Sequence, residues 1–127
     1  MEKYKRLPDS ELQVMLQIWE HDRQVDTGEI MRQLTEQMGR KPRLTLIQQS
    51  LNRLVEKGFV KCDKIGRLNH YTSLVNADEY KAQEAGSMLE KLYGNSPSKL
   101  FTALLRNNSF SSSDIEDLKK VLDESGE

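Results

Sequence analysis

A mostly α-helical chain with one small β-hairpin is the fold class this sequence predicts, and three observations predict it. Apolar residues recur at helical spacing through six separate segments. From Phe59 to Val75 the period drops to about two, in two strand-like runs, Phe59–Ile65 and Leu68–Val75. Gly66-Arg67 stands between those runs as a two-residue hairpin connection. A polar-faced helix followed at once by a basic-tipped hairpin is the layout of a winged helix. The predicted architecture is therefore α+β: a winged helix-turn-helix over residues 1–75 and a three-helix dimerisation arm over 76–127.

Met1 to Leu7 reads as a short polar arm carrying Lys3, Lys5 and Arg6, solvated as chain termini usually are. Asp9, after Pro8, is the predicted N-cap of a first helix over about 10–21. Leu12, Met15, Leu16 and Trp19 form its apolar stripe, flanked by Val14 and Ile18, with Trp19 as a core anchor. His21 to Asp26 reads as a polar connector. Asp26 or Thr27 caps a second helix that buries Ile30, Met31, Leu34 and Met38 and ends at Gly39. Arg40-Lys41-Pro42-Arg43 turns the chain into a third helix, Leu44 to Lys57. Its stripe is Leu44, Ile47, Leu51, Leu54 and Val55, and Gly58 stops it at C′.

The other face of that third helix carries Thr45, Gln48, Gln49, Asn52 and Arg53. Gln and Asn amides donate and accept together, which suits the N6/N7 edge of adenine. Thr45 suits a thymine methyl or a phosphate, and Arg53 a guanine or a phosphate. Arg43 in the preceding turn and Lys64 and Arg67 at the hairpin tip would add phosphate contacts, giving affinity rather than sequence choice.

The charge distribution agrees, although the net charge is only −1. Residues 1–75 carry +3 and residues 76–127 carry −4, while residues 40–67 alone carry +6. No apolar run approaches the ~18 residues of a membrane span, and no signal-peptide core follows the N-terminus, so a cytoplasmic protein is expected. The lone Cys62 excludes an intrachain disulfide and a multi-cysteine metal site, and fits a reducing compartment. His21 and His70 have no second ligand at metal spacing and read as ordinary surface or strand residues. No cofactor is expected, and no catalytic constellation or phosphate-cradling glycine loop is present to suggest an enzyme.

After Asn76 the character changes. Asn76 caps a helix over about 77–93 bearing Tyr80, Ala85, Met88, Leu89, Leu92 and Tyr93, closed by Gly94. Ser96-Pro97 starts another, with Leu100, Phe101, Leu104 and Leu105. After a loop over Asn107–Phe110, Ser111 and Asp114 open a last helix with Ile115, Leu118, Val121 and Leu122, and Asp123 to Glu127 reads as a frayed acidic tail. Three amphipathic helices in so short a segment bury their apolar faces poorly alone. A two-fold dimer through Tyr80, Met88, Leu89, Leu92, Leu100, Phe101, Leu104, Ile115, Leu118 and Leu122 is therefore expected, and two reading helices at fixed separation suit a palindrome.

Five stretches in order, E-L-Q-V-M-L-Q-I-W (Glu11 to Trp19), N-R-L-V-E-K-G-F (Asn52 to Phe59), Y-T-S-L-V (Tyr71 to Val75), L-Y-G (Leu92 to Gly94) and F-S-S-S-D-I-E-D-L-K-K-V-L (Phe110 to Leu122), give a resemblance. The chain resembles the BlaI/MecI penicillinase-repressor family, which includes the CopY copper-responsive repressors. The resemblance implies a winged-helix N-terminal domain, a helical dimerisation domain and repression by operator binding. It also implies reading positions at Thr45, Gln48, Gln49, Asn52 and Arg53, with a wing over Lys64 to Arg67. Two departures stand out. Ala103-Leu104 occupies the place of the family's Asn-Phe cleavage pair, and no cysteine follows Cys62, where the copper-responsive members carry a C-x-C…C-x-C metal site. The alternative reading is a winged helix whose basic face meets an acidic protein partner instead of DNA.

Overall fold

In the computed structural model, which describes residues 3–126, α1 (Asp9–Trp19) begins one residue earlier than the sequence suggests. Pro8 occupies the N-cap position in extended backbone, without a side-chain cap. Asp9 is the first helical residue and acts there through its charge on the helix dipole rather than as a cap. The buried side of α1 is Glu11, Val14, Met15, Gln17 and Ile18, while Leu16 is exposed and Leu12 and Trp19 are half-buried. The apolar stripe is thus rotated about its axis from the expected one, with Val14 and Ile18 at its centre. Trp19 anchors all the same: its Nε1 donates to Ser73 Oγ (3.1 Å) and the Val75 carbonyl (3.0 Å), and its ring lies 5.4 Å from that of Tyr80.

The connector after α1 contains a strand that the sequence reading missed, β1 (Val25–Asp26). It pairs antiparallel with β3 (Leu68–Ser73), which also pairs with β2 (Val60–Ile65), in the order β1-β3-β2. Two residues are too few to display a period, so only the partner strand makes β1 visible. Asp26 ends this strand and caps α2 (Thr27–Met38), its Oδ1 accepting from Glu29 N at 2.9 Å. Ile30 and Leu34 are buried, whereas Met38, in the last turn, is exposed. Gly39 ends α2 at φ 70°.

In α3 (Leu44–Glu56) the buried residues are Ile47, Ser50, Leu51 and Leu54. Leu44 and Val55, expected in the stripe, are exposed at opposite ends of the helix, beyond the reach of the core. A Schellman motif closes α3: Phe59 N donates to Leu54 O (2.9 Å) and Gly58 N to Val55 O (3.0 Å), with Gly58 at φ 78°. The strands are shorter than the apolar runs that announced them, because Phe59, Leu74 and Val75 fall outside the ladder. The hairpin register, Ile65 opposite Leu68 through Val60 opposite Ser73, leaves Gly66-Arg67 as the two-residue connection.

The N-terminal segment is seated rather than solvated. Leu7 is buried and its N donates to Tyr80 Oη at 2.8 Å, while the Gln83 side chain accepts from Lys3 N and Tyr4 N and donates to Tyr4 O. Tyr80 itself is 1% exposed, with Phe59 and Trp19 against its ring. It belongs to this core, and the expectation that it pairs two chains is corrected: both its ring and its hydroxyl are already in use. Met1, Glu2 and Glu127, the ends of the expected arm and tail, lie outside the described residues.

The chain divides into two compact units, 1–83 and 84–127, with α4 (Ala77–Tyr93) running through the boundary. Asn76 caps α4 by accepting from Glu79 N at 3.0 Å. In the second unit, Ser96 caps α5 (Pro97–Arg106) and Ser111 with Asp114 forms a reciprocal capping box on α6 (Ser112–Ser125). α6 continues to Ser125, so Asp123 and Glu124 are helical rather than frayed. Neither α5 nor α6 buries a single residue.

Candidate nucleic-acid interface

The outward face of α3 presents Thr45, Gln49, Asn52 and Arg53, all exposed. The core side of the same helix, Ile47, Leu51 and Leu54, fixes its rotation, so the polar face points to solvent by default. Gln48 differs from its neighbours. It is half-buried, and its Nε2 donates to Asn52 Oδ1 (3.1 Å) and to Tyr71 Oη (3.2 Å). Gln48 stays on the face expected of it, with one edge of its amide committed to the protein.

Arg43 lies immediately before α3, exposed, with Arg40 and Lys41. Met38, Arg40, Lys41, Pro42, Arg43 and Leu46 line a concavity of about 380 Å³ at this turn. Lys64 and Arg67 are exposed at the hairpin tip. Gly66 sits at φ 66°, a conformation that a side chain would strain, so it holds the two-residue turn that carries Arg67.

Two members of the basic stretch are not free cations. Lys57 forms an ion pair with Glu11 of α1, and Lys61 lies 3.6 Å from Asp63 on its own strand. The sequence count of +6 overstates the cationic face, because Glu11 lies outside the counted window and returns to it only through the fold. Leu46, 55% exposed beside Thr45, was missed as a surface residue. Its position off the stripe defined by Ile47, Leu51 and Leu54 was the available signal.

Tyr71 backs this face from the core, although its sequence position gave no hint of it. It sits in the middle strand, opposite Val25 and Cys62, and is 1% exposed, yet its hydroxyl reaches Gln48. Burial pushes the Tyr71 phenol above its ordinary pKa, and the hydrogen bond from Gln48 works against that rise. Cys62 itself is exposed. His21 Nε2 lies 3.2 Å from Gln33 Oε1, and among the described residues no three His, Cys, Asp or Glu side chains converge on a metal position. Likewise, no helix among them is long and apolar enough to cross a membrane.

In the second unit, Met88, Leu92, Ile115 and Leu122 are exposed, and Leu89, Leu100, Phe101, Leu104 and Leu118 are half-buried. Leu92 is 69% exposed, and Leu105 and Val121, absent from the expected set, are exposed as well. Phe101 and Phe110 meet edge-on at 6.4 Å within the unit.

Comparison with known proteins follows the same lines. The family model described as penicillinase repressor matches residues 7–124. A penicillinase repressor of Bacillus licheniformis is 30% identical over 124 residues, spanning 98% of this chain and 94% of the relative. The solution structure of the DNA-binding domain of the repressor BlaI matches with a TM-score of 0.52 at 32% identity, over 63% of this chain and 94% of that one. The Bacillus licheniformis BlaI monomeric form, solved in complex with the blaP half-operator, matches with a TM-score of 0.50 over the same shares and at the same identity. From residue 7 to residue 124, this chain belongs to the penicillinase repressor family.

Proposed function

We propose that this chain is a DNA-binding transcriptional repressor that acts as a homodimer on a palindromic operator. The observation that carries the reading is the outward face of α3: Thr45, Gln49, Asn52 and Arg53, solvent-facing and flanked by Arg40, Lys41 and Arg43 on one side and by Lys64 and Arg67 on the other. Uncharged hydrogen-bonding groups between cations match a major groove, where base edges offer donors and acceptors and the rims carry phosphates. Leu46 adds an apolar group suited to a thymine methyl. A family relative solved on a half-operator supports the same use of this fold. Exposed leucines on α4, α5 and α6 support pairing of two chains, since that much apolar surface gains by leaving water.

Selection of bound duplexes from a random pool tests the proposal. The expected product is a motif with two-fold symmetry, bound with an affinity that falls steeply as salt rises. Failure to retain any duplex at low ionic strength would sink it.

A further inference from the structure

Gln48 and Asn52 stand one turn apart on α3, and their amides are already joined. An amide NH₂ has two hydrogens. Gln48 gives one to Asn52 Oδ1 at 3.1 Å and the other to Tyr71 Oη at 3.2 Å. What remains toward solvent is Oε1 of Gln48, an acceptor, and Nδ2 of Asn52, a donor. Turning the Gln48 amide over alone would set its oxygen against the oxygen of Asn52, so the orientation described holds while Asn52 keeps Oδ1 toward Gln48. Tyr71 cannot follow a wandering Gln48: its ring is locked in the core between the partner strands β1 and β2.

We propose that Tyr71 is a positioning residue of the reading surface, holding Gln48 so that it meets the groove as an acceptor only while Asn52 supplies the donor. The base facing Gln48 is then one that carries an exocyclic amino group in the major groove, adenine through N6 or cytosine through N4. An adenine whose N7 also accepts from Asn52 satisfies both amides at once. This inference rests on the DNA-binding reading above and goes beyond it by fixing the donor pattern of one base position.

The test uses the full-length chain and a duplex selected from a random pool by the wild-type protein. Affinities of wild type, Tyr71→Phe, Gln48→Ala and the double variant are measured on that duplex and on versions with each base pair changed in turn. Phenylalanine keeps the buried ring, and a thermal melt checks that the fold survives. Tyr71→Phe should cut the preference at one amino-bearing position about 3- to 10-fold, the worth of one hydrogen bond, and leave affinity for random duplex unchanged. In the Gln48→Ala background the same change should add nothing. Gln48→Glu gives a second check that leaves the core ring intact. Without the two donated hydrogens it should lose the amino-bearing preference at least as far as Tyr71→Phe does, and a carboxylate that keeps the preference in full counts against the positioning role. A wild-type motif that Tyr71→Phe leaves intact overturns the inference alone, as does a loss shared equally by random duplex. A wild-type protein that enriches no motif overturns the DNA-binding reading, and the inference with it.

Discussion

The carboxylate of Glu11, 1% exposed on α1, forms an ion pair with the ammonium of Lys57, the residue that caps the C-terminus of α3. The pair ties the end of α3 to α1, across 46 residues of sequence. It also places a cation where the last carbonyls of α3 favour one.

Lys57→Ala therefore leaves a buried carboxylate without its counter-charge. Removing one partner of such a pair costs about 3–5 kcal/mol, and the partial exposure of Lys57 puts this case near about 3 kcal/mol. Glu11→Gln, which removes the charge and keeps the shape, should cost less. Urea unfolding of both variants checks the order, and a Lys57→Ala protein as stable as wild type would refute it.

Glu29 governs part of the acid response. Hydrogen bonds from the Arg23 guanidinium (2.7 and 3.3 Å) hold its carboxyl at about 2, well below the ordinary value of 4.5. Between those two values the unfolded chain binds the proton more readily than the folded one. The stability from this contact is thus complete above about pH 4.5 and is lost as the pH falls toward about 2. Glu29→Gln should lower stability at neutral pH and flatten its decline over that window. Thermal melts between pH 7 and 2.5 measure the slope, and an unchanged acid limb would count against the assignment.

Gln49 and Lys64 should separate two kinds of contact. Gln49→Ala is expected to erase about 1–3 kcal/mol of preference at one base pair and leave random-duplex affinity alone. Lys64→Ala should weaken all duplexes alike and reduce the salt slope by about one. Fluorescence titrations at several salt concentrations distinguish them. Equal effects on selected and random duplexes in both variants would remove the assignment of the reading face.

Leu122→Asp addresses the second unit. If the exposed apolar residues of α6 pair two chains, a buried carboxylate in place of Leu122 should raise the dimer dissociation constant at least about 10- to 100-fold, the equivalent of losing one buried leucine. Sedimentation equilibrium reads this directly. A wild-type chain that is monomeric at micromolar concentration would exclude the arrangement.

Local signals carried most of the helices: Asn76, Ser96, Ser111 with Asp114, Gly39 and Gly58 all act at helix ends as their residue types suggest. The hairpin was legible for the same reason, because Gly66-Arg67 and the alternation around it are contiguous. What escaped was made by distance in sequence. β1 exists only through Tyr71 and His70, Glu11 meets Lys57 only in the fold, and the Tyr80 hydroxyl accepts from Leu7 N across 73 residues. At the candidate interface the exposed members were readable from the stripe they oppose. The commitment of Gln48 to Tyr71 was not, since nothing in a helical pattern names a partner on a strand.

Asp26 does two jobs at once, pairing with His70 as the end of β1 and accepting from Glu29 N as the start of α2. There is consequently no slack between sheet and helix. Adding one residue after Asp26 would force the chain to forfeit either the ladder or the cap, while the same addition in the loop over Asn107–Phe110 disturbs neither. Tags, fusions and natural length variation should find the second location open and the first closed.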